Sequence, residues 1–448
     1  MRIANAFSKS YFPRTLLAVA VSSAVLAACG GGSGGTASNN KLVSGTITGF
    51  GSIHVGGKHI LDNPSTIVDK DGTLGAPGDT SKLNVGDNVK ICTSTDSNGN
   101  LVADKILSKD ELEGFVTIAA TATLGACDAA AGGSLEVMGR TVNYTDTLVF
   151  ESNVTGATVC DLVATTAGSP GTAVEIHGAP NASGGIDATK IQAKAVEDEI
   201  EVKGAVDAVT ASVSGGVNDT VTMGHLKMTI AAGTSVQAGN FVEAKLNADL
   251  TPPVGSGDPW TVTASEISLD DNTVEGCSES DGAEAEIEGQ ITSAYDAQSD
   301  SFTIDGGQVV IVGSASIDTA SLVAGTQVEV EGSYSNGDLS AGSIKIDQEA
   351  TASVVKTSGT VASIIVKGST TDLTASNYDF NATYTLTLDN SLSVDVKPGQ
   401  VIFDDKDNLL PGNPTFDLVD LIGSSIMVTV KYTSNPDVAV KIELNSQV

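Results

Sequence analysis

Residues 44–60 read SGTITGFGSIHVGGKHI. The stretch holds five of the chain's 49 glycines and two of its four histidines. Either it cradles a ligand or it turns the chain, and that choice decides the fold. It is not a dinucleotide loop. His54 stands where GxGxxG needs its third glycine, and no long helix follows to point its N-terminus at a phosphate. The pattern fits a turn instead. Gly49 and Gly51 permit a tight bend, and Gly56 and Gly57 form a two-residue hairpin turn. That register sets Val55 opposite Lys58 and His54 opposite His59, while Ile53 and Ile60 supply a buried face.

The same opening recurs as SGTI at Gly45, EGFV at Gly114, KGAV at Gly204, EGQI at Gly289 and SGTV at Gly359. The steps of 69, 90, 85 and 70 residues are too long for a solenoid repeat and suit a small domain. Each opening leads to a hairpin: SIHVGGKHI (52–60), LEVMGRTV (135–142), VTMGHLKM (221–228), FTIDGGQVVI (302–311) and YTLTLDNSLSV (384–394). Alternating apolar residues around Gly, Asp or Asn turns carry that signal. A second strand pair closes each copy, clearest as LNVGDNVKI with NLVADKI (83–91, 100–106) and LVAGTQVEV with DLSAGSIKI (322–330, 338–346). These patterns predict an all-β chain of tandem small OB-like barrels, five- to six-stranded, joined by short acidic linkers. Helix is expected only as single turns, for example within 80–87. The expected modules are 41–109, 110–198, 199–272, 284–349 and 350–448, with an acidic linker over 273–283.

GTITGFGSIHVGG (45–57), taken with the LNVGDNVKI and GNLVADKI ending, resembles a widespread bacterial module known only as a domain of unknown function. That module occurs in tandem in exported lipoproteins. The first copy matches best, the fourth well and the others loosely. The resemblance implies a small β-barrel and an envelope location. It implies no activity and no site residue.

The N-terminus reads as a targeting segment. Arg2, Lys9 and Arg14 precede the apolar run TLLAVAVSSAVLAA, which is too short for a stable bilayer span. The run ends in LAAC (26–29), which resembles a lipobox and implies cleavage after residue 28 and acylation of Cys29. GGGSGG then begins a flexible tether over 29–40. Gly30, rather than Asp, after the cysteine favours the bacterial outer membrane, facing periplasm or cell surface. The mature chain is expected to be anchored without crossing the membrane. Four further cysteines suggest disulfides in an exported protein. Cys127 and Cys160 are the expected pair, and Cys92 and Cys277 stay open.

Aromatic residues are 4% of the chain and the net charge is −32. A surface that acidic repels phosphate backbones, so nucleic acid is excluded as a partner. GxSxG, HExxH and CxxC are all absent from the sequence. DKDGT at Asp69, DSNGN at Asp96 and DDKDN at Asp404 resemble the start of a calcium loop, but none reaches the closing Glu of an EF-hand. Asx-rich turns have this composition for backbone reasons. His54 and His59 are the candidate zinc or copper ligands. The favoured reading makes them an outward polar pair, and makes His177 and His225 lone surface or strand residues. The chain is therefore read as a lipid-anchored, non-catalytic envelope protein without a cofactor. It would be a rod-like array of barrels serving as scaffold or binding surface for protein or glycan partners. The alternatives are a metal-binding surface protein and a glycan-active enzyme.

Overall fold

Gly56 and Gly57 take left-handed φ values of 56° and 71° and turn Ile53–Val55 into Lys58–Leu61, with His54 paired to His59 across the ladder. The computed structural model describes residues 40–50, 52–118, 132–151, 158–163, 171–194, 199–211, 218–231, 233–247, 260–269, 277, 282–305, 307–346, 354–405, 409, 417–433 and 437–445. Around the hairpin, Lys41–Phe50, Asn88–Thr95 and Leu101–Ser108 complete a barrel. Its first strand pairs the second and the fourth, the fifth pairs the fourth, and the third runs parallel to the fifth. The order 1-2-3-5-4-1 closes these five strands into a ring, and Ile67–Lys70 with Thr73–Leu74 adds a short hairpin beside the fifth.

The order repeats four times. Barrel 2 uses Leu112–Ile118, Gly133–Val137, Arg140–Glu151, Ala173–Pro180 and Ile186–Ala193. Barrel 3 splits its first strand into Glu199–Ala205 and Ala208–Thr210, followed by Asn218–Met223, Leu226–Ala231, Phe241–Asn247 and Trp260–Leu269. Barrel 4 comprises Glu284–Asp296, Ser301–Ile304, Gln308–Ile311, Gln327–Ser335 and Asp338–Ile346. Barrel 5 comprises Val354–Val366, Tyr384–Leu388, Ser393–Val396, Met427–Thr433 and Val438–Asn445, with Ile402–Asp404 added beside the last strand. The described residues hold no α-helix. Residues 80–87 make turns only, and a 3-10 turn appears at their counterpart in barrel 4, Thr319–Ser321.

Period-two alternation builds each interior. Ile47, Ile53, Val55, Ile60, Ile91 and Ile106 fill barrel 1, each contributing about 1.5–3 kcal/mol by leaving water. Barrels 2 and 3 share one core, in which the Phe115 and Trp260 rings stack with centroids 6.2 Å apart.

The repeated opening glycine has a steric reason. A Cβ there would collide with a side chain laid over the first strand. In barrels 2, 4 and 5 that side chain is the first residue of the barrel's own hairpin turn: Met138 over Gly114, Asp305 over Gly289 and Asp389 over Gly359. In barrels 1 and 3 the turn residue is itself glycine, Gly56 and Gly224, and a neighbouring barrel supplies the cover. Glu288 of barrel 4 lies over Gly45, where a Cβ would come 2.8 Å from its Oε2, and the Arg140 guanidinium of barrel 2 lies over Gly204. An uncovered hollow in one barrel is thus a docking point for another.

Sequence order is not packing order, which corrects the rod-like array. Asn39–Val448 forms one unit. The first strands of barrels 1 and 4 run side by side in parallel from Lys41 and Glu284. Cys92 of barrel 1 is bonded to Cys277, just ahead of barrel 4, which settles the pairing left open above. His54 of barrel 1 packs on Phe380 of barrel 5, with centroids 4.2 Å apart. Gln290 of barrel 4 donates to Asp187 of barrel 2 at 2.6 Å, and Lys441 of barrel 5 donates to the Leu148 carbonyl of barrel 2 at 2.7 Å.

Candidate functional site

The two predicted ligands do meet. The His54 and His59 rings lie 5.4 Å apart on the outer face of barrel 1. The outward-pair expectation needs correcting for His54, which is only 2% exposed because barrel 5 docks over it through Phe380. His59 stays exposed. Nδ1 of His54 is buried without a hydrogen-bond partner. Burial, reinforced by His59, lowers the His54 imidazole from 6.5 to about 3. Among the described residues no group of three or more His, Cys, Asp or Glu is placed to hold a metal ion. Cys29 and Cys127 lie outside the described residues, and Cys160 is disulfide-bonded.

The depressed imidazole has a consequence for stability. The folded state keeps His54 neutral down to about pH 3, whereas the unfolded chain protonates it near 6.5. The stability this neutral ring provides is complete above pH 6.5 and is lost as pH falls toward 3. The loss is on the order of a few kcal/mol. His54→Phe is expected to unfold at or above the wild-type midpoint at pH 7 and to lose less between pH 6.5 and 4. Equal losses in urea titrations of the two proteins would refute this.

The acidic turn at Asp96 serves the backbone, and Asp404 serves an ion pair. Asp96 Oδ1 accepts from the Asn98 and Asn100 amides at 2.8 and 2.9 Å. Asp404 is buried and lies 2.8 Å from Lys441 Nζ.

Between barrels 1 and 2 lies an ionic cluster. Asp87, His177 and Lys190 are each 0% exposed. Lys190 Nζ is 3.0 Å from Asp87 Oδ1 and 3.4 Å from Glu151. His177 Nε2 donates to Glu175 at 2.8 Å and lies 3.5 Å from Asp87. Burial pushes both carboxyls upward. His177 and the lysines outweigh it, holding Asp87 and Glu175 below the usual range. His177 is therefore no surface residue. Alternation points it away from its own barrel, and barrel 1 then covers it. His225 does stay on the surface, 3.0 Å from Glu136.

A recess of about 340 Å³ opens where barrels 1 to 4 meet. Barrel 1 contributes Asn88 and Lys90, and the link to barrel 2 contributes Lys109. Phe241 comes from barrel 3, and Asp305 and Gln308 come from the hairpin of barrel 4. Burial raises the Asp305 carboxyl to about 6, against the pull of Lys90. Lys109 reaches Glu243 at 3.3 Å, Asn88 donates to the Gly178 carbonyl at 2.6 Å, and Gln308 Oε1 accepts from the Tyr334 hydroxyl at 3.3 Å. Sequence reading missed this site. Its lining comes from four copies of the repeat, and no local motif marks any member.

Three stretches, 43–106, 125–192 and 288–345, match the family profile described as a domain of unknown function (DUF5666). They fall on barrels 1, 2 and 4. No curated protein matches the chain. Among solved structures, the drosophila Unr CSD456 is 17% identical, with 43% of this chain and 79% of that one covered, at a TM-score of 0.14. A tetra-tandem repeat from the extending region of a large adhesion protein is 12% identical, with 91% and 98% covered, at a TM-score of 0.10. At these scores neither likeness bears on fold or function. The chain carries three tandem copies of this domain of unknown function, set within an all-β array of small OB-like barrels.

Proposed function

We propose that the protein is a lipid-anchored, non-catalytic binding scaffold of the bacterial outer membrane. Cys29 carries the lipid, the following residues to position 40 form the tether, and the barrels present a fixed surface to a protein or glycan partner. The observation that supports binding is the recess itself. Four barrels converge on it, none could form it alone, and a disulfide and buried ion pairs fix their positions. A site held that way needs little reorganisation on binding. Globomycin, which blocks lipoprotein signal cleavage, is expected to make the full-length precursor accumulate in the native host. Normal processing under the drug would remove the anchor from the proposal.

One observation favours a second reading, a glycan-active enzyme. Asp305 sits in the recess with its carboxyl raised to about 6, as a general acid requires, and Glu111 and Asp338 lie in the same lining. New reducing ends released from peptidoglycan fragments, and lost in Asp305→Asn, would replace the scaffold by this reading. A metal-binding surface protein has less support, because the His54 and His59 pair lacks a third ligand among the described residues.

A further inference from the structure

We infer that the recess between barrels 1 to 4 is a saccharide subsite, taking an uncharged or N-acetylated sugar unit in contact with Phe241, Asn88, Gln308 and Asp305. The inference rests on the scaffold reading in that it assumes a bound partner, and it names that partner's chemistry.

Position supports it first. OB barrels take ligands on the face of strands 2 and 3 and the adjoining loops. Barrel 4 turns that side into the recess, with Asp305 and Gln308 from its strand 2–3 hairpin and Gly337 and Asp338 from the end of the turn between strands 4 and 5 and the first residue of strand 5. The other barrels wall this face in rather than covering it.

Size and chemistry then narrow the occupant. A volume of about 340 Å³ is at the small end of ligand sites and suits one or two sugar rings. An apolar ligand would cut the Asp305, Asp338 and Glu111 carboxylates and the Lys90 and Lys109 ammonium groups off from water, which is costly even for groups that keep a protein partner. A phosphorylated ligand meets Lys90 and Lys109, but it also meets Asp305, Asp338 and Glu111, within a chain of net charge −32. The lysine charge is thus already answered by carboxylates, and the field does not favour an anion. A pyranose ring fits both halves of the lining. Its hydroxyls donate and accept around most of the ring, matching the second amide hydrogens of Asn88 and Gln308 and the Asp305 carboxyl. Its C–H face can lie on the half-buried Phe241 ring. An N-acetyl group, which replaces one hydroxyl, keeps a donor and an acceptor of the same neutral kind.

The test uses the full-length protein in detergent, with diacetylchitobiose and cellobiose as probes and inorganic phosphate as the anionic control. At least one disaccharide is expected to show saturation transfer to its ring protons. It should also slow hydrogen exchange at 88–90, 305, 307–309 and 337–338, while phosphate does neither. Phe241→Ala is expected to weaken binding by about tenfold or more. Asp338→Ala, at the mouth of the strand 4–5 turn, should weaken it by a smaller factor. Both variants are compared at unchanged thermal midpoint, and the exchange map on the unaltered protein carries the test should Phe241→Ala not fold. Silence from both disaccharides, protection elsewhere on the chain, or preference for phosphate overturns the subsite. Those results leave the anchored scaffold standing if the precursor accumulates under globomycin. Processing that ignores the drug, with saccharide binding intact, removes the anchor and keeps the subsite.

Discussion

Lys190→Met is expected to destabilise the protein by about 3–5 kcal/mol, because it strands a buried carboxylate. Asp87 and Lys190 are both fully enclosed between barrels 1 and 2 with their charged atoms 3.0 Å apart. Removing the ammonium leaves Asp87 facing only Lys70 and His177, each 3.5 Å away. Those contacts are longer and weaker than the lost charge-assisted bond, so they replace it only in part. The Asn84 amide, which donates to Asp87 Oδ2 at 2.9 Å, then holds a carboxylate that is poorly compensated. Adding Asp87→Asn should recover most of the loss, since the asparagine carbonyl still accepts that amide and the fully buried carboxylate is gone. High salt should not imitate the single variant, because a pair out of contact with solvent is screened weakly. The measurement is the first cooperative transition in urea. A loss below about 1 kcal/mol for Lys190→Met, or no recovery in the double variant, would show that the cluster is not what fixes barrel 1 on barrel 2.

What could be read beforehand followed the range of the forces involved. Strand alternation and turn chemistry are local, so the turn at Gly56 and Gly57, the recurrent first-strand glycine and the closed small barrel were all legible. The facing of His54 and His59 was legible too, because a two-residue turn dictates register. Burial of the same His54 was not. Alternation places it outside its own barrel, and the outside becomes an interior only when Phe380 of barrel 5 arrives. His177, Lys190 and Lys441 share that history. Each looks like a solvated strand residue until a second barrel covers it. Barrel pairing depended on a still smaller signal. Gly56 and Gly224 stand where Met138, Asp305 and Asp389 stand in the other copies, so their hollows await a neighbour's side chain. The sequence shows which hollows are uncovered. It does not show that Glu288 and Arg140 cover them, since those contacts join residues far apart in the chain.

Replacing both Cys92 and Cys277 with alanine is expected to cost about 3–5 kcal/mol and to loosen one junction selectively. The bond spans a sequence separation of 185, so in the unfolded chain it closes a very long loop. The entropic model places such a loop at the top of its range, near 5 kcal/mol. Residual structure in the unfolded chain lowers what such a loop returns, which brings the expectation down. The native contribution is local. Cys92 lies in the fourth strand of barrel 1, paired to Leu42, and Cys277 precedes the first strand of barrel 4. Between them runs the four-residue parallel ladder from Lys41 to Ser44 against Glu284 to Ile287. Lys41 and Lys58 reach Glu286 across it at 2.7 and 2.9 Å. Parallel pairing over so short a span is weak without a clamp. Amide exchange over 41–44 and 284–287 should therefore quicken in the alanine pair, while the shared core of barrels 2 and 3 keeps its protection. Uniform loosening across all five barrels would mean the bond acts only through the unfolded chain. Unchanged exchange at this ladder, with an unchanged midpoint, would mean that the ion pairs and the Glu288 side chain over Gly45 hold barrels 1 and 4 together unaided.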